Sequence, residues 1–266
     1  MAALVHPTLA IAAILATGVA LVYLHVGRVF LARHATGEMR NALTLFAVWW
    51  IATAVNILLG SAANGAAAFG WTNLGLQIAY IVFQRLLLAI ALVGLVHYLL
   101  VLVRGRAPLM ALAVLYGAYF VYLVATVYRN GPVGVHVGEW RTDLEYARPA
   151  TGPGLPDLLS FLVLIVPTVG LSVAAIVVAH RLPASRLAQR NRVTLVGLAL
   201  IVWWVVAVLA GQRQTLDQDW YQAFNRVLDL GMALVILVAY ETPRWLRRYI
   251  DLPADGPDDP GAMAPG

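Results

Sequence analysis

Seven stretches of this chain, near residues 7–27, 42–60, 76–103, 108–128, 157–179, 193–210 and 221–240, are almost free of charge. Each approaches or exceeds the ~20 apolar residues an α-helix needs to cross the hydrocarbon of a bilayer. Segments apolar on every side cannot be ordinary amphipathic surface helices, and a spanning segment must satisfy its backbone internally. Composition agrees: 61% of residues are hydrophobic and 12% charged, about half the charge of a soluble domain. The expected fold class is therefore an all-α integral membrane protein. Seven transmembrane helices occupy residues 1–250, and the Pro/Gly/Asp-rich residues 251–266 form a disordered cytoplasmic tail. The first run is read as a retained helix, because its positive charges begin after it, at Arg28. The expected location is the cell membrane, crossed several times, with the lipid bilayer as the first partner.

The chain has no cysteine, which excludes disulfides, thiolate chemistry and cysteine metal sites. It also has no lysine: all 18 basic residues are arginine. The net charge of +5 does not point to nucleic acid, because the arginines sit in short connections between apolar runs. Segments 28–41, 104–107, 180–192 and the tail from 241 hold twelve of them, whereas the opposite connections hold four, Arg129, Arg141, Arg148 and Arg213. The positive-inside rule then places the N-terminus outside and the C-terminus in the cytoplasm. The 129–156 connection lies outside, and its stretch Pro132–Trp140 is expected to make a small hairpin lid.

The two halves resemble one another. Tyr80-Ile-Val-Phe-Gln-Arg in the third run aligns with Tyr221-Gln-Ala-Phe-Asn-Arg in the seventh. The second and sixth runs each carry a tryptophan pair, Trp49-Trp50 and Trp203-Trp204, and the first and fifth close on His25 and His180. The expectation is a 3+1+3 parallel internal repeat, of a kind known among transporters.

Charge inside a span is costly and is read first as function. Arg85 and Arg226 fall at similar depth in the same local pattern, and Asp229 is an i,i+3 partner of Arg226. Superposed copies bring Tyr80, Gln84 and Arg85 towards Tyr221, Asn225 and Arg226, and two arginines against one aspartate suit a carboxylate, phosphate or halide. The competing reading is a structural network tying helices together. Trp49, Trp50, Trp203 and Trp204 are candidate pocket aromatics, or simple packing. His25, His97 and His180 are weak candidates for haem ligands. No other metal site and no catalytic motif is found, so the sequence leans away from an enzyme.

Seven spans with little mass outside the membrane resemble three architectures: microbial rhodopsins, sugar transporters built of two three-helix copies around a linker, and seven-helix sensor modules. Covalent retinal is excluded by the absence of lysine, and no other cofactor is expected. The Pro-Asn and Pro-Gln dipeptides of the sugar transporters are absent. The functional expectation is capture of a small polar, anionic solute from the extracytoplasmic side, for transport. The alternatives are a sensory receptor acting through a separate signalling partner, a structural or assembly subunit in a homo-oligomer or larger complex, and a haem-binding electron-transfer protein.

Overall fold

The computed structural model describes residues 5–33, 35–148, 155–211, 219–241 and 243. Every apolar run forms a helix: α1 (Pro7–Leu31), α2 (Gly37–Ala68), α3 (Leu74–Arg104), α4 (Leu109–Asn130), an interrupted α5, α6 (Leu187–Gly211) and α7 (Asp219–Tyr240). Helix α5 joins Leu155–Ser160, a π-helical turn Phe161–Ile165 and Val166–His180. Between α4 and α5 an antiparallel hairpin pairs β1 (Pro132–Val137) with β2 (Thr142–Tyr146). The expected tail at 251–266 lies outside the described residues.

Among the described residues five helices are long and apolar enough to cross a membrane: Pro7–Leu31, Gly37–Ala68, Leu74–Arg104, Leu109–Asn130 and Leu158–His180. This is a multi-pass membrane protein. The expected count of seven spans is corrected. Over their described residues α6 and α7 do not qualify. Helix α6 opens with the polar run Gln189, Arg190, Asn191 and Arg192, and the side chains of α7 are described only from Phe224 onward. The inferred sides of the two termini go with the count, since they rest on seven alternating crossings. The 3+1+3 repeat likewise presupposed seven spans.

Local chemistry sets the helix ends. Pro7 occupies the first turn of α1, where its missing N–H costs no intrahelical bond. Asn73 caps α3 by accepting from the Leu76 N–H at 3.0 Å, and Gly105 ends it at φ 73°, a left-handed conformation that glycine takes without strain. In α5, Pro167 has no N–H for the carbonyl of Val163, four residues earlier. Tyr116 of α4 supplies the missing donor, its hydroxyl bonding the Val163 carbonyl at 3.2 Å. One turn away the Tyr119 hydroxyl donates to Ser160 Oγ at 2.9 Å. Helix α4 thus donates to one carbonyl of the irregular turn, the kind of help from a neighbouring helix that a membrane interior favours.

Consecutive helices α1, α2 and α3 pack closely, and α7 returns against α1. Small residues allow the approach. A Cβ on Gly27 would meet Ile51 at 2.8 Å, and one on Gly94 would collide with the Leu45 carbonyl of α2. The core is aromatic: Phe46 stacks on Trp49 at 5.2 Å and on Tyr98 at 4.1 Å, and Tyr23 meets Trp50 edge-on at 4.8 Å. Outward faces stay apolar, with Ile14 and Leu21 on α1, Val114 and Val121 on α4, and Val173 and Val177 on α5 all exposed to what is lipid in a membrane. At the end away from the hairpin, Arg33 and Arg192 donate to the closing carbonyls of α7 (Tyr240 and Ala239), where cations meet the negative end of the helix dipole.

Candidate functional site

At the hairpin end a cavity of about 280 Å³ opens among α1, α2, α3, α7 and the hairpin. Tyr80, Gln84, Arg85 and Arg226 all line it, so the structure places four of the sequence-derived candidates on one space. Arg141 and Asp143 of the hairpin join them, paired with each other at 3.5 Å. The lining carries three guanidinium groups and one carboxylate. Arg226 has its own partner, with Nη1 at 2.9 Å from Asp229 Oδ2. Arg85 makes no ion pair or hydrogen bond among the described residues, and its Nε is buried without an acceptor.

The hairpin is held in place by a residue that sequence reading passed over. Asn64 Oδ1 accepts from the Thr142 N–H at 2.9 Å and from the Thr142 hydroxyl at 3.2 Å, and Asn64 Nδ2 donates to the Trp140 carbonyl at 3.4 Å. Leu144 on the same strand is buried against Ile81 and Val127. Residues 140–143 therefore stand at the cavity wall. Neighbouring Tyr146 has its phenol pushed above the usual range, by burial first and by Asp143 second, so it stays a neutral hydroxyl at ordinary pH. The signal that was available was an asparagine in an uncharged Gly/Ala-rich stretch, a residue that helix interiors do not favour. Gly60 gives Tyr80 its room: a Cβ there would lie 2.8 Å from the phenol oxygen.

A second, inner cavity of about 180 Å³ lies between α2, α3, α6 and α7, and Arg226 lines this one as well. Its walls include Trp49, Trp203, Trp204, Asn225 and Asp229. Trp203 donates from Nε1 to Asp229 Oδ1 at 2.7 Å, so the carboxylate is held from two sides. The two tryptophan pairs meet across the bundle, with Trp49 and Trp203 edge-to-face at 6.4 Å. Trp50 does not line this space; it is buried against Tyr23 and Phe46. The Tyr221 side chain lies outside the described residues.

The histidines are placed apart. His25 and His180 are exposed, His180 bonding its own helix at the Ile176 carbonyl, whereas His97 is buried. Among the described residues no three His, Cys, Asp or Glu side chains cluster as a metal site would need. No known family model matches this chain, and no curated protein does.

Proposed function

We propose that this membrane protein binds a small anionic solute between Arg85 and Arg226 and carries it through the helix bundle. The observation that supports the reading is Arg85. An arginine cannot shed its charge, and a cation held in a helix bundle without a counter-ion is costly. A bound carboxylate or phosphate removes that cost through charge-assisted hydrogen bonds, which the guanidinium fork accommodates in pairs. Asp229 already neutralises Arg226, so the surplus positive charge of the lining is open to a ligand. The inner cavity, sharing Arg226 with the outer one, supports movement further into the bundle.

Arg85→Ala is expected to lower acetate and phosphate affinity at least tenfold and to abolish flux in proteoliposomes, with folding unchanged, because no protein group loses a partner. Arg226→Ala is expected to lose binding and to destabilise as well, by about 3–5 kcal/mol, since it strands a buried carboxylate. Arg226→Leu combined with Asp229→Leu removes both charges and should recover the fold without recovering binding. Calorimetric titration and thermal unfolding of the purified variants read these outcomes. Undiminished anion binding and flux in Arg85→Ala would overturn the proposal.

A further inference from the structure

The two cavities differ in charge. Among the described residues the outer lining sets Arg85, Arg141 and Arg226 against Asp143 alone, whereas the inner lining sets Arg226 against Asp229, one cation to one anion. A monovalent anion in the outer cavity therefore lowers a positive surplus. The same anion in the inner cavity adds a negative charge to a neutral pair, in a desolvated space where charge is costly. Asp229 is the group it meets there. The Asp229 side chain is 7% exposed, and both of its oxygens are engaged, Oδ2 by Arg226 Nη1 at 2.9 Å and Oδ1 by Trp203 Nε1 at 2.7 Å. An ionised carboxylate offers acceptors only, so it repels an incoming carboxylate or phosphate and can give it no hydrogen bond.

We infer that Asp229 is a proton-binding site and that the protein moves one proton with each monovalent anion. This rests on the transport reading above and adds the coupling ion. Arg226 lines both cavities, so an anion leaving the outer one passes the guanidinium that holds Asp229. As the anion takes bonds from Arg226, Asp229 loses its counter-ion. A buried carboxylate without a cation takes a proton from water rather than keep its charge. The O–H so formed donates to the anion, while Trp203 still donates to the other oxygen. The inner cavity then stays neutral with the anion inside it. When the anion leaves, the Arg226–Asp229 pair re-forms and the proton is released. No other described group beside Asp229 can take this part. From α1, Tyr23 donates its hydroxyl to the Asp229 backbone carbonyl at 3.3 Å. Helix α2 brings Trp49, Thr53 and Asn56 to the cavity, α3 only apolar side chains, and α6 Trp203 and Trp204. None of these titrates near neutral pH, and Arg85 and Arg226 keep their charge throughout.

The test is nitrate entry into proteoliposomes of the full chain with a pH-sensitive dye inside. Nitrate offers a guanidinium the same planar pair of oxygens as a carboxylate. It stays charged at every pH used, so a proton that enters with it is carried by the protein. The membrane potential is held at zero with valinomycin and equal potassium on both sides, which removes any drive for protons to leak in behind the anion. Nitrate entry is expected to acidify the lumen by one proton per nitrate, and to quicken as the outer pH falls, because acid fills Asp229. Asp229→Asn fixes the uncharged form. It should still admit nitrate, but with no acidification and at a rate that does not change with pH. Thermal unfolding and nitrate titration of the same preparation show whether the variant folds, and the measurement on the unaltered protein decides the matter if it does not. Nitrate entry without acidification in the unaltered protein, or acidification that persists in Asp229→Asn, would overturn the inference and leave anion transport standing. If no nitrate enters through the unaltered protein, the transport reading fails with it.

Discussion

Single residues at the outer cavity divide into those that hold charge and those that hold shape. Gly60 belongs to the second kind. Its missing side chain leaves the Tyr80 phenol where a Cβ would stand 2.8 Å away. Gly60→Ala should displace that phenol, the free end of a flexible side chain, and cut acetate affinity about three- to tenfold. The same change replaces a helical glycine with alanine, which favours the helix by about 1 kcal/mol. The expected result is weaker binding in a protein that is no less stable, read by titration beside a thermal melt. A melting temperature that falls together with affinity would assign Gly60 to backbone packing instead. Arg33 and Arg192 carry a different lesson. Read along the chain they are marks of membrane sidedness. In the fold they hydrogen-bond the end of α7, and both stack over the Tyr240 ring, at 4.7 and 4.9 Å. Charge in a short connection says where arginine is tolerated, and the carbonyls it meets depend on which helix end arrives beside it.

Among the elements, α5 shows how one helix depends on another. Pro167 frees the Val163 carbonyl and Tyr116 of α4 supplies its donor. Tyr116→Phe should therefore destabilise by about 1 kcal/mol. In a Pro167→Ala background, where a backbone N–H is restored, the same change should cost little, and unfolding measured across the four proteins gives the coupling. Equal cost in both backgrounds would mean that the hydroxyl serves some other partner. Helix α2 and the hairpin show where element limits were legible. The second run reads as 42–60, yet α2 continues to Ala68. Alanine-rich sequence extends a helix without adding hydropathy, and Asn64, which argues for a loop by propensity, gains three hydrogen bonds to the hairpin there. The lid expected over 132–140 is a hairpin reaching Tyr146. Its second strand is polar enough to read as loop, and it is specified by pairing with β1 and by burial of Leu144.

At the scale of the whole molecule, five helices among the described residues qualify to span a bilayer and rows of apolar side chains face outward. The protein should stay with the membrane pellet after alkaline carbonate extraction and leave it only in detergent. Release into the carbonate supernatant would contradict the assignment. Membership of the membrane class, the positions of the helices and the rarity of their internal charges were determined by the sequence alone, because length and hydropathy are local properties that the bilayer reads directly. Which charges have partners was decided only by the tertiary structure. Arg85 and Arg226 look alike in the chain, and a carboxylate three residues on is the only local distinction. The fold brings them to one cavity, gives Arg226 to Asp229 and leaves Arg85 open. It also sets Trp203 against Asp229 from different helices. Those relations join residues far apart in sequence, and their energies depend on desolvation and hydrogen-bond geometry, which exist only once the helices have packed.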